Sequence, residues 1–197
     1  MNRFVSVVVL GSVLATSANA AVSSASASQQ VSAGVMPAVV KNKSFNVQSS
    51  ILSDLIGAVN LNVNFRLSPA FTAGPTAEYW SLSESDGDGG TGSVRLWSVG
   101  AQAEYAFNGD IMRDGVLLNP YVAYNAAENV NASKYGVSGI SAGALVQYQW
   151  IWQSGFNVQL GVGAGYSTVK TSSPATEGSG EVNATHGVAS VELGYAF

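Results

Sequence analysis

Val188-Ala189-Ser190-Val191-Glu192-Leu193-Gly194-Tyr195-Ala196-Phe197 are the last ten residues of the sequence. Successive side chains of an extended strand point to opposite sides. On that rule Ala189, Val191, Leu193, Tyr195 and Phe197 share one face, while Val188, Ser190, Glu192, Gly194 and Ala196 share the other. The first face is apolar and ends in rings. The second is mostly small or polar. A sheet lying half in water carries such a pattern, and so does a sheet lying half in lipid. The rest of the chain separates the two.

The alternation recurs upstream. Between Phe156 and Val169, residues Phe156, Val158, Leu160, Val162, Ala164 and Tyr166 oppose Asn157, Gln159, Gly161, Gly163, Gly165 and Ser167. From Val137 to Trp150, Ile140, Ala142, Ala144, Val146, Tyr148 and Trp150 oppose Gly139, Ser141, Gly143, Leu145, Gln147 and Gln149. Val116 to Ala127 and Val94 to Phe107 repeat it, as does Ala70 to Leu82, where Pro75 cannot donate to a ladder. Ile51 to Val63 is the next candidate, with Leu55, Val59, Leu61 and Val63 on the apolar face and Asp54, Asn60 and Asn62 on the polar one. Each run is about as long as a tilted strand needs to cross a bilayer. Bacterial single-chain barrels have even strand numbers, so an eighth strand is expected between Val31 and Gln48.

The front of the chain points the same way. Met1-Asn2-Arg3 carries one basic residue, Phe4 to Ala15 is apolar, and Ala18-Asn19-Ala20 precedes Ala21. That is the layout of a secretory signal peptide over residues 1–20, cleaved between Ala20 and Ala21. The Ala- and Ser-rich residues 21–30 read as a flexible leader, and residues 31–197 as the barrel domain. Charged residues are 10% of the chain, against ~25% in soluble domains, yet no long apolar run follows the signal. A lipid-facing barrel reconciles these facts, because its apolar residues sit at alternate positions. A net charge of −4 and scattered basic residues give nothing to track phosphates, which excludes nucleic acid as a partner. The absence of cysteine excludes disulfides and thiolate metal sites.

The connections alternate too. Asn64–Ser68, Asn108–Gly115 and Ile151–Gly155 read as short turns, whereas Ser83–Ser93, Glu128–Gly136 and Lys170–Ala184 tend to be longer and are polar. Outer-membrane barrels have short periplasmic turns and long external loops. Counting back from a periplasmic C-terminus puts each short turn inside and each long loop outside. Outward Tyr105, Phe107, Trp150, Phe156, Tyr195 and Phe197 then gather at the periplasmic interface, and Tyr79, Trp97, Tyr124 and Tyr166 at the external one. Rings in two such belts suit a membrane span. The expected fold is an all-β, eight-stranded antiparallel transmembrane β-barrel in the cell outer membrane, with both termini periplasmic.

On its signal peptide, its strand pattern and the closing Leu193-Gly194-Tyr195-Ala196-Phe197, the chain resembles the small outer-membrane β-barrel family, which includes OmpA-, OmpX-, OmpW- and opacity-type proteins. The resemblance covers about Val31 to Phe197. It implies that Leu193, Tyr195 and Phe197 form a sorting signal for the barrel assembly machinery. It also implies a monomer whose other partners are outer-membrane lipids and lipopolysaccharide. Within that family the expected role is structural or surface-directed: envelope integrity, adhesion or host contact. The alternative is a narrow small-solute channel of the OmpW kind, and a lipid A-modifying enzyme ranks third.

Eight strands leave an interior just wide enough for side chains. Asp54, Glu78, Gln102, Glu104, Gln147, Gln159 and Glu192 are expected to line it, with no inward Lys or Arg. Unpaired buried carboxylates are costly, so water or hydrogen bonds from Gln102, Gln147, Gln149, Gln159 and Tyr121 must hold them. A path favouring cations is the functional alternative. His186 shares a face with Ser190 and Glu192. Residues four apart on a strand lie roughly 13 Å from one another, too far for a base and its nucleophile. Asp86-Gly87-Asp88-Gly89-Gly90 lacks the full spacing of a calcium loop. Neither catalytic residues nor a cofactor or metal site is expected.

Overall fold

The structure, a computed structural model, describes residues 43–55, 57–85, 91–129, 136–172 and 180–197. The expected signal peptide and leader, most of the window for the first strand and the Asp86–Gly90 segment lie outside them. Eight strands form: β1 (Phe45–Ser50), β2 (Ala58–Ser68), β3 (Phe71–Ser85), β4 (Thr91–Ala106), β5 (Gly115–Asn129), β6 (Gly136–Ile151), β7 (Phe156–Ser172) and β8 (Gly180–Ala196). Each pairs antiparallel with the next, and β1 pairs with β8 from Asn46↔Ala196 to Ser50↔Glu192, so the sheet closes into a barrel. The lower end carries Phe45, the Pro69–Ala70 turn and Phe197; the upper end carries the β3–β4, β5–β6 and β7–β8 connections.

The faces divide as the alternation predicts. Val99, Val122, Ile140, Val146, Leu160 and Val162 are exposed, whereas Gln48, Asn64, Glu104, Gln147, Gln149 and Gln159 are buried. This is the reverse of a protein folded in water, whose interior is apolar. Lower rings meet in pairs: Phe45 with Phe197 at 5.0 Å between centroids, Tyr195 with Phe197 at 4.9 Å and Tyr148 with Trp150 at 4.7 Å. Higher up, Trp97 meets Tyr124 at 5.6 Å. Trp97 on β4 to Phe107 just past its end, and Phe156 to Tyr166 on β7, are each ten residue steps apart. At ~3.3 Å per residue and a tilt of ~40°, each spans about 25 Å, the height of the apolar band of outer-membrane barrels.

Three expectations need correction. Ile51 to Val63 is not one strand. Ile51–Leu55 forms a helical turn, α1, and β2 begins at Ala58. Ser50 starts the turn, its Oγ accepting the Ser53 N–H at 3.4 Å, and Gly57 ends it with φ +81°, donating to the Asp54 carbonyl. None of its five residues is buried, so the turn is set by these two ends and not by an apolar face. β2 then runs to Ser68, so Asn64–Ser68 is strand and the turn is Pro69–Ala70. Finally, the upper strands continue well into the segments assigned to long loops, to Ser85, Asn129 and Ser172.

Two prolines lie inside strands of the closed barrel. Pro75 pairs with Ala101 of β4, but the β2–β3 ladder omits it between Asn62↔Thr76 and Phe65↔Ala73. Pro120 pairs with Ala144 of β6, and the β4–β5 ladder skips it between Gln102↔Tyr121 and Tyr105↔Leu118. A residue without an N–H interrupts one neighbour's ladder and keeps the other.

Candidate functional site: the polar interior and its closed end

β4 carries Gln102 and Glu104 into the lower half of the barrel, where Glu104 is 1% exposed. Its carboxylate accepts hydrogen bonds from Thr72 Oγ1 at 2.8 Å, Gln159 Nε2 at 3.0 Å and Gln48 Nε2 at 3.4 Å. β3, β7 and β1 thus meet β4 on one carboxylate. Gln48 in turn accepts from Asn64, Asn64 from Gln102, and Gln149 from Gln159. Glu192 of β8 accepts from Gln147 Nε2 at 3.3 Å and Asn62 Nδ2 at 3.5 Å, and Thr76 donates to Asn62. Lower still, Asn157 of β7 and Asn46 of β1 exchange hydrogen bonds across β8, the shorter at 2.9 Å. The amides bring donors to the acids, and the network ties strands together across the barrel.

Of the expected lining residues, Gln102, Glu104, Gln147, Gln159 and Glu192 are buried in this network. Glu78 is half-buried on the inner face of β3, opposite Asn60 of β2 in the ladder. Asp54 is a correction: it lies exposed in α1, within 3.4 Å of Ser49 Oγ, because the helical turn takes it off the strand lattice. Tyr121 bonds neither buried acid in the network; its hydroxyl stands beside Gly143 and Gly165. His186 also reaches the space over Gly165, while the Ser190 hydroxyl receives Gln147 Nε2 at 3.0 Å. Leu193, Tyr195 and Phe197 face outward and are exposed.

The sequence reading missed the plug. Asn108–Gly115, read there as a plain turn, folds across the lower mouth. Ile111 and Met112 are each 2% exposed and pack with Ala106, Leu117, Ile151 and Ala196 into the apolar cluster of the barrel. Asn and Asp side chains shape the segment. Asn108 Oδ1 accepts the Asp110 N–H at 2.9 Å, and Asp110 Oδ1 the Met112 N–H at 3.0 Å. Arg66 pairs with Asp110 at 3.2 Å, Gln149 Nε2 donates to the Ile111 carbonyl at 2.7 Å, and Asp114 Oδ1 accepts the Ile151 N–H at 2.8 Å. The signal for it was two large apolar residues, Ile111 and Met112, amid Asn, Gly and Asp. Those residues had no place in a two-faced strand pattern.

The upper half differs. Inward Ser98, Tyr121, Asn125, Ser141, His186 and Ser190 are only part-buried. The interior is therefore shut below by the plug and less tightly filled above it, with Glu104 and Glu192 in its buried lower half. No helix among the described residues is long and apolar enough to cross a membrane, which says nothing about strands.

No curated protein and no solved structure matches the chain. Residues 27–191 match a family described as a protein of unknown function, DUF3575. That match takes in most of the barrel, from before β1 into β8, and the chain belongs to the DUF3575 family.

Proposed function

We propose that this protein is an integral outer-membrane barrel with a structural or surface-directed role: envelope integrity, adhesion or host contact. The observation that carries this reading is the plug. An apolar cluster built on Ile111 and Met112 shuts the lower mouth beneath a hydrogen-bonded interior, which leaves no purpose for a through-path. The exposed apolar band with rings at both margins supports insertion in lipid. In that setting the lower end, with both termini, faces the periplasm. The upper end, with α1 and the ends of the long hairpins, faces outward.

Outward charges begin above the upper belt. Lys170 and Glu181 pair at 3.7 Å, and Arg95 stands opposite Glu128 in the ladder. Lipopolysaccharide head groups are the natural neighbours at that height. Leu193, Tyr195 and Phe197 would be read by the assembly machinery during insertion, and the inserted barrel would be a monomer. The enzyme reading loses support from Ser190, whose hydroxyl is engaged by Gln147. The narrow-channel reading is the one to test against. In planar bilayers the purified protein is expected to give no steady unitary conductance; regular openings would overturn the structural reading and favour transport.

A further inference from the structure

The eight strands close the barrel unevenly. β8 pairs with β7 from Gly180 to Tyr195, whereas β1 accompanies it only from Glu192 to Ala196. Beyond Ser50 the chain turns into α1, which lies against β8 and β2, and β2 begins only at Ala58. The upper part of β8 therefore has a strand on one side only. Phe197 exchanges backbone bonds with Phe45 on the β1 side, and Ala196 donates to Gly155 on the β7 side. The two directions alternate along a strand, so Asn183, Thr185, Gly187 and Ala189 turn N–H and C=O away from β7. None of these groups has a hydrogen-bond partner among the described residues.

Proteins blunt a free edge with Pro, with Lys or with a bulge. This edge carries none of the three: Val182 to Val191 contains no Pro, Lys or Arg, and the β7–β8 register runs without a break. Val182, beside Val169 on the inner face, is 56% exposed, so apolar surface lies open next to the unpaired backbone. Thr185 is opposite Tyr166 of the upper ring belt, which puts Asn183 and Val182 beyond that belt. A second copy in the same membrane fits badly. Both β8 strands would descend, and a two-fold along the membrane normal would set their edges parallel, without the reciprocal bonds of an antiparallel pair. An extended backbone matches the whole row of donors and acceptors at its own spacing.

We propose that the upper edge of β8, from Asn183 to Gly187, is a docking strand for an extended segment of a partner polypeptide outside the cell. The segment joins the sheet antiparallel to β8 and sets an apolar residue beside Val182. The outward placement rests on the membrane reading above; the pairing itself does not. Such docking gives the surface-directed role a physical means.

The test uses the whole barrel in detergent, with its folded state verified by the mobility difference before and after boiling. The probe is a peptide with the sequence Gly165–Ser172, the stretch of β7 that β8 already accepts on its other side. Amide hydrogen exchange read by NMR is expected to be fast at Asn183, Thr185 and Gly187 in the free barrel and several-fold slower with the peptide. Ala184 and His186, turned toward β7, should be slow throughout. The same peptide, fully N-methylated, should protect nothing. The Asn183→Pro/Thr185→Pro barrel loses two free-side donors and keeps the β7 ladder, as Pro75 and Pro120 each keep one ladder; it should bind the peptide roughly tenfold or more weakly. Absent protection, or equal protection by the two peptides, overturns the proposal, as does equal binding by the native and proline barrels. A native dimer in sedimentation that the proline pair abolishes overturns it in favour of self-pairing. Should the proline variant not fold, the two peptides on the native barrel decide. A folded barrel that ignores the peptide leaves the proposed function standing.

Discussion

Gly194 sits on the inner face of β8, where β1 and β7 reach across it to each other. A Cβ there would lie 2.5 Å from Asn157 Oδ1 and 2.6 Å from Gln48 Cγ. The missing side chain is what lets Asn46 and Asn157 exchange hydrogen bonds beside the β1–β8 seam. Gly161 does the same for Gln147, whose Cγ lies 2.3 Å from where its Cβ would stand. Inward glycines at these two points make room for amides, and the register between strands sets which amides they admit. Gly194→Val is expected to destabilise the barrel by about 1–3 kcal/mol through overpacking and lost amide bonds. Gly187→Val, at an exposed position of the same strand with nothing within 4 Å, should change stability by no more than about 0.5 kcal/mol. Urea unfolding in lipid vesicles measures both. Equal costs at the two positions would show that strand content, not interior packing, sets the penalty.

At the scale of elements, β3 to β8 were legible because a two-residue period persists through each of them with an apolar outer face. α1 was not, because five residues are too few to separate a helical spacing from an alternating one. The plug was not legible either, because nothing local in Ile111–Met112 says that the turn bends back under the barrel. That position comes from Arg66, Gln149 and Ile151, residues far away in sequence. The network's acids were foreseen on the right face in β4 and β8, whereas most of their partners were not, since partner choice depends on the stagger between strands. Ile111→Ala is expected to cost about 2–5 kcal/mol, as for a large core residue cut to Ala. The same unfolding experiment reads it; a change within about 0.5 kcal/mol would mean that the segment only covers the mouth and does not anchor it.

Over the whole molecule, the polarity gradient runs from amides and acids inside to Val, Leu, Tyr and Trp outside. The hydrophobic effect rewards removing apolar surface from water, at about 25 cal/mol per Å². A monomeric barrel in buffer would leave its whole outer belt hydrated, far beyond the few hundred Å² of apolar patch usual on soluble monomers. Lipid removes that cost and leaves the buried amides to hold the strands together. The decisive measurement is therefore the state of the purified mature protein with and without a lipid phase. Bound to vesicles, it should resist extraction by alkaline carbonate and migrate differently on gels before and after boiling. Without lipid or detergent, it should aggregate. A compact monomer, stable and dissolved in detergent-free buffer, would contradict the membrane reading and require a water-facing role for the belt.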